Sequence, residues 1–323
     1  MGEAISRINP AIISATQKTF LADCIRFIFN MVMLLPIKLH DKRGKQPYDY
    51  RIILVLCVVK TLFRKTYADY EIETRKDPRI CALFKLDMLP SKSTLQAHMR
   101  LVSMQNLLKF NAMILTEWSK RKLNLMIDSS GIRIIGRSIW FCIRIKEYIS
   151  KKECDKAHLA VCSDVLFIMN WKITKWKKND SPFFIKLLKP FKILGIILAD
   201  KGYLSRANFQ FAADRNGCAF IPFKKGKKKG STGSPKGYPA WKFAFNLWKK
   251  FNSIYTDIYH QRSKIESIFH ALKERYGDKL FCKGASMRRK EMALRFIAYN
   301  IRLMIFYLYA KDNGINLWVR AKK

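Results

Sequence analysis

Acidic residues are scarce in this chain: 24 Asp and Glu stand against 62 Lys and Arg in 323 residues, a formal net charge of +38. That imbalance argues against an ordinary metabolic enzyme, because such a field gathers polyanions around the protein. It points to nucleic acid as the partner, with an anionic membrane surface as the competitor. Glycine (14) and proline (10) are also sparse, so long irregular loops should be few. Long apolar runs are missing too. The longest uncharged stretch, 27–37, has eleven residues, where a membrane span needs about twenty. The apolar stretch 294–310 is interrupted by Arg295, Asn300 and Arg302. The first ten residues carry no signal-peptide core, so a cytoplasmic, nucleoid-associated protein without membrane contact is expected. None of the eight cysteines forms a CxxC pair, which suits reduced core thiols better than zinc or a disulfide frame.

What is present is a hydrophobic fraction of 49% and an aromatic fraction of 13%. Those are too high for a disordered basic tail and enough for roughly two domains with proper cores. The charge is unevenly placed. Residues 1–120 hold 19 basic and 10 acidic residues, whereas residues 121–323 hold 43 and 14. The last two-thirds of the chain therefore carries the polyanion surface.

Residues 1–120 read as helical, with apolar i, i+3, i+4 spacing over 15–35, 50–64, 68–75 and 94–110, interrupted at Pro36, Pro78 and Pro90. Ser91 or Ser93 is positioned to cap a helix that carries Lys92, Gln96, His98 and Arg100. Two readings stand: a helix-turn-helix over about 68–110 that binds DNA ends, or a helical bundle with ordinary surface charge. From residue 121 the period changes. The segment 123–128 alternates as a strand and then turns through Ser129-Ser130-Gly131 into 132–135, Ser163-Asp164 joins a hairpin between 158–162 and 165–174, and 193–199 reads as a buried strand. Helices are expected at 182–188, with Asp180 as N-cap, and at 205–216, with a last short strand at 219–223. The whole reads as a mixed α/β sheet flanked by helices, preceded by an all-helical region. The loop 224–238 holds six lysines and four glycines. It is either a solvated surface loop or a phosphate-tracking segment.

Only fourteen carboxylates follow residue 120, and most have plain explanations: Glu147, Glu153 and Asp155 in a charged turn, Asp164 at a hairpin tip, Asp180 as a cap. Asp128 lies in the polar register of its strand. Asp200 ends a buried strand, where open α/β sheets place their ligand sites. Each alone is compatible with turn chemistry; together in a basic surround they suit a hard divalent cation with oxygen ligands. Residues 257–276 form an amphipathic helical pattern ended by Gly277. On it Tyr259, Arg262, Glu266 and Lys273 share a strip roughly 60° wide, beside the apolar stripe of Ile258, Ile265, Phe269, Leu272 and Tyr276. An ordinary i, i+4 surface pair is the alternative for Arg262 and Glu266.

The spacing Tyr259-x2-Arg262-x3-Glu266-x6-Lys273, with the continuation KERYGDKLFCKGASMRRKEMALRFIAYNIRLM, resembles the signature of the DDE transposases of prokaryotic insertion sequences. Asp200-Lys201-Gly202-Tyr203 is similar to the second-aspartate motif of that family and Ile127-Asp128-Ser129-Ser130 to the first. The intervals of 72 and 66 residues between the three acids suit members without a large insertion before the glutamate. The resemblance covers roughly 45–310, and Ala199 departs from it, standing where relatives often carry Gly.

The resemblance implies a ribonuclease-H-like catalytic domain over 121–310, after a DNA-end-binding helical region 1–120 and before a basic tail 311–323. It implies Asp128, Asp200 and Glu266 as catalytic ligands of two Mg²⁺ ions, for which Mn²⁺ can substitute. Tyr259, Arg262 and Lys273 would position the DNA end, with Lys273 on a terminal phosphate. Lys201 and the loop lysines Lys224, Lys225, Lys227, Lys228 and Lys229 are expected as further DNA contacts. The implied activity is Mg²⁺-dependent cleavage and strand transfer on double-stranded DNA, terminal inverted repeats and target alike, by a homodimer in a synaptic complex. A non-catalytic DNA-binding relic and a structure-specific nuclease of the same fold are the alternatives.

Overall fold

The computed structural model describes residues 6–36, 48–134, 154–223 and 238–320. In chain order the elements begin with β1 (Ser6–Ile8), α1 (Pro10–Thr16), α2 (Phe20–Met33), α3 (Tyr50–Leu62), α4 (Tyr67–Asp69), α5 (Pro78–Phe84), α6 (Lys92–Leu101), α7 (Met104–Ile114) and α8 (Thr116–Ser119). They continue with β2 (Leu123–Ile134), β3 (Cys154–Cys162), β4 (Ile168–Lys175), α9 (Ser181–Leu188), β5 (Leu194–Ala199), α10 (Arg206–Ala213) and β6 (Cys218–Phe220). The last are α11 (Pro239–Lys250), α12 (Asn252–His260), α13 (Lys264–Tyr276), β7 (Lys279–Leu280), α14 (Ala285–Asp312) and β8 (Trp318–Arg320). They fall into two compact units, residues 1–114 with 290–323, and residues 115–289.

The first unit is built around helices buried on more than one face. Every residue from Ile53 to Val59 of α3 is buried, and Asp49 caps the helix by accepting the Arg51 N–H at 2.9 Å. Most residues of α14 between 290 and 306 are buried as well. Phe306 rests on Phe20 with ring centroids 5.3 Å apart, and buried Asn300 donates to Asn111 Oδ1 at 2.7 Å. Buried Lys290 donates to the carbonyls of Met99 and Arg100 at 3.0 and 2.6 Å, satisfying the C-terminal turn of α6. These contacts are why 290–310 groups with the first unit, where the sequence suggested a boundary only at 310.

Two expected features of this unit come out differently. The pattern over 94–110 is not one helix: Val102 is extended, and Ser103 starts α7 by accepting the Asn106 N–H at 3.1 Å. Pro78 opens a helix rather than ending one, with Asp77 as its N-cap. Ser91 does cap α6, accepting the Thr94 N–H. Leu95 and Met99 are buried, and Lys92, Gln96 and Arg100 are exposed.

The second unit is the expected mixed sheet flanked by helices. Strand order is β4-β3-β2-β5-β6, with β7 pairing the end of β2. β3 runs antiparallel to both β2 and β4, whereas β2 pairs in parallel with β5 and β7, and β5 in parallel with β6. β2 continues unbroken through Ser129-Ser130-Gly131, where the sequence suggested a turn, because β3 pairs with it along that stretch. The β2–β5 register shifts by one residue between Leu123 and Leu125. Asn124 repairs the irregularity by accepting the Ile196 N–H on its side-chain oxygen at 2.9 Å. Gly195 makes room for it, since a Cβ there would come within 2.3 Å of that oxygen. After the shift the pairing runs Leu125↔Ile197, Met126↔Leu198, Ile127↔Ala199.

Candidate active site

That register decides the site. Asp128 and Asp200 follow directly on the pair Ile127↔Ala199, and Asp200 keeps an extended backbone (φ −69°, ψ 161°) before the 3₁₀ turn Lys201–Tyr203. The two aspartates therefore leave adjacent parallel strands about 4.8 Å apart and on the same side of the sheet. Past Ile127, β2 has no further strand partner on that side among the described residues until Arg133 pairs with Lys279. Helix α13 packs against β2, and the 3₁₀ turn Gln261–Ser263 packs against β5. Ile265, Ile268, Phe269, Leu272 and Tyr276 form the buried face of α13.

The helix expected to run unbroken from 257 to 276 is divided by this 3₁₀ turn. Tyr259 belongs to α12, Glu266 and Lys273 to α13, and Arg262 to the tighter turn between them. The Arg262 guanidinium spans two carboxylates, donating to Asp128 Oδ2 at 2.8 Å and to Glu266 Oε1 at 2.9 Å. It is therefore more than an i, i+4 surface pair: its Asp128 partner lies 134 residues away and is as shielded as Arg262 itself, each side chain 16% exposed. Burial raises the Asp128 pKa above the usual carboxylate value. Arg262 and the Ser129 N–H oppose that rise, and the neighbouring charges of Asp200 and Glu266 add to it. Lys273 donates to Ser130 Oγ at 2.8 Å, two residues from Asp128. Half-buried Tyr259 sets its ring 5.7 Å from the Arg262 guanidinium.

The sequence matches the transposase DDE domain family over residues 120–301. The chain belongs to that family. No curated protein matches it. Among solved structures the fold is similar to a piggyBac transposase synaptic complex with hairpin DNA, at 11% identity and TM-score 0.45, covering 93% of this chain and 75% of that one.

In this DDE transposase domain the donor chemistry at the sheet edge fits a hard divalent cation: two adjacent aspartates and a facing glutamate offer oxygen ligands alone. A positive group is already seated there, the guanidinium between Asp128 and Glu266. Among the described residues no group of three Asp, Glu, His or Cys side chains stands at metal-ligand spacing. Arg262 occupies the place between two of the acids.

Lys201 is exposed in the turn after Asp200. The expected contacts Lys224, Lys225, Lys227, Lys228 and Lys229 lie outside the described residues, as do Glu147 and Glu153. Among the described residues no helix is long and apolar enough to cross a membrane. Asp155 is not in a turn. It is a buried residue of β3 that receives Arg288 Nε at 2.8 Å.

Asp180 was the larger omission. It precedes α9, as expected of an N-cap, but its side chain makes no cap hydrogen bond. Instead Asp180 Oδ1 accepts Ser129 Oγ at 3.1 Å and Lys156 Nζ at 2.6 Å, with His158 Nδ1 at 3.4 Å. Fully buried His158 stacks on Phe183 and meets Thr174 Oγ1 at 3.0 Å and the Tyr203 hydroxyl at 3.4 Å. Burial drives its pKa down from 6.5 to about 4, so the ring is neutral at neutral pH. The sequence signal was present, since His158 and Lys156 share one face of a strand, but nothing local said that Asp180 would face them.

Proposed function

We propose that the chain is a transposase that binds the terminal inverted repeats of its element and catalyses Mg²⁺-dependent DNA cleavage and strand transfer. The observation that carries this reading is Asp128 standing beside Asp200 at the open edge of the sheet, opposite Glu266. These three carboxylates would hold the ions. Bound there, two Mg²⁺ (or Mn²⁺) ions would activate water or a 3′-hydroxyl and offset charge on the leaving oxygen.

The remaining residues handle DNA. Arg262 carries a positive charge that a phosphate can take over when it leaves Asp128 and Glu266. Lys273, held at Ser130, offers an ammonium to a terminal phosphate close to Asp128. Tyr259 presents a ring next to Arg262 on which a base or sugar can rest. Lys201 and the loop lysines at 224–229 contribute backbone affinity. In the helical region 1–120, α6 exposes Lys92, Gln96 and Arg100 on one side and is the candidate reader of the element end. A dimer holding both ends completes the arrangement, with the catalytic site carried by the unit 115–289. The expected basic tail 311–323 is not a free tail, because β8 within it pairs antiparallel with β1.

The test is a Mg²⁺-dependent strand-transfer assay on DNA carrying the element's own ends. Joined products are expected. Cleavage without joining would mark a nuclease, and binding without cleavage would mark a relic.

A further inference from the structure

The two strand-end aspartates are tied to each other through a residue that neither motif contains. Ser129 donates its backbone N–H to Asp128 Oδ1 at 2.8 Å and its hydroxyl to Asp180 Oδ1 at 3.1 Å. The other Asp180 oxygen packs on the turn after Asp200, where a Cβ on Gly202 would sit only 3.2 Å from it. That turn is closed by the Tyr203 N–H donating to the Asp200 carbonyl at 2.8 Å. Buried Asn208 locks it to the start of α9, donating to the Tyr203 carbonyl at 2.7 Å and to the Ser181 carbonyl at 3.2 Å. Tyr203, 1% exposed, sets its hydroxyl 3.4 Å from His158 Nδ1, which itself lies 3.4 Å from Asp180 Oδ1.

We propose that Asp180 is a positioning residue that holds Asp128, through Ser129, and Asp200, through the Gly202–Tyr203 turn, at the spacing their shared cation requires. It is not a further ligand. Its Oδ1 is taken by Ser129 and Lys156, and the Lys156 ammonium balances its charge, so it stiffens the site without adding a fourth negative group. This inference rests on the reading of Asp128 and Asp200 as ligands.

The experiment is Mn²⁺ binding to the full chain, followed by the EPR signal of free Mn²⁺. It compares wild type with Asp128→Asn, Asp180→Ala, Ser129→Ala and the double variant Asp180→Asn/Lys156→Gln, each checked for folding by circular dichroism. Asp128→Asn should lose binding. Asp180→Ala should bind about 10- to 100-fold more weakly. Ser129→Ala leaves the Asp180–Lys156 pair in place and should weaken binding about tenfold through lost positioning alone. It carries the test if Asp180→Ala fails to fold. The double variant keeps an oxygen facing Ser129 and adds no net charge, so it should recover most of the affinity. Wild-type affinity in Ser129→Ala, or a double variant as weak as Asp180→Ala, overturns the positioning role while the ligand reading stands. If wild type binds no Mn²⁺, or Asp128→Asn binds it as wild type does, the ligand reading itself falls.

Discussion

Arg262 holds Asp128 through a 2.8 Å ion pair between residues 134 positions apart, and with its second terminal nitrogen it holds Glu266. One side chain thus occupies the place between two of the three acids expected to bind a cation. A guanidinium seated between two carboxylates and a divalent cation bound to the same pair repel each other and crowd one space, so the two compete. Arg262→Gln should therefore bind Mn²⁺ about two- to tenfold more tightly than wild type in the absence of DNA. It should also cleave DNA more slowly, because the residue that would take the phosphate is gone. Calorimetric Mn²⁺ titration alongside a cleavage time course checks both halves.

Asp128→Asn, Asp200→Asn and Glu266→Gln each replace a ligand oxygen with an amide of nearly the same shape. Each should lower Mg²⁺-dependent cleavage by more than about 100-fold and leave DNA affinity in a gel-shift assay within about twofold. Full cleavage by any one of them removes that residue from the ligand set.

The placement of Asp128 beside Asp200, one residue past the pair Ile127↔Ala199, depends on the irregularity at Asn124. A methyl group at Gly195 would collide with the Asn124 side-chain oxygen and force it off the Ile196 N–H. Gly195→Ala should destabilise the chain by about 1–3 kcal/mol through the stranded N–H. It should also reduce cleavage more than its stability loss explains, because a slip in register moves Asp128 away from Asp200. Urea denaturation and cleavage at a temperature where the variant stays folded separate the two effects.

His158 supplies a pH signature. Its pKa is about 4 in the folded chain against 6.5 for the free side chain. Between those values the unfolded chain binds a proton that the native state refuses. The stability contributed by the neutral ring is thus fully present above pH 6.5 and is lost as pH falls toward 4, about 3 kcal/mol in all. Asp128, whose pKa is raised on folding, works in the opposite direction. The comparison therefore has to be the difference between wild type and His158→Asn, whose stability should fall less steeply over that window. Equal slopes in denaturant unfolding from pH 7 to 4.5 would show that His158 is not held neutral.

Much of the site was legible because its signals are local. Strand alternation placed Asp128, a buried apolar run ending in Asp200 placed the second acid, and helical spacing aligned Glu266 with Lys273. The Ser91 cap and the hairpin around Asp164 followed from short-range backbone chemistry of the same kind. The misreading of Asp180 has the opposite property. Asp180 satisfies the sequence rule for an N-cap, and only the approach of Ser129 and Lys156 shows where its side chain goes. The break within 94–110 was a local signal passed over: apolar spacing runs on across Val102, while Ser103 caps α7 by accepting the N–H of Asn106 three residues on.

By itself, then, the sequence determined the strongly basic character of the chain and its helical and mixed-sheet parts, and it nominated Asp128, Asp200 and Glu266 through a resemblance of motifs. Only the tertiary structure decided that Asp128 and Asp200 lie in register, that Arg262 bridges Asp128 and Glu266, and that Asp180 joins the two aspartate segments from behind. The reason is physical. Periodicity and capping are set by residues a few positions apart, whereas register, ion pairing and buried hydrogen bonds depend on which distant segments the sheet brings together.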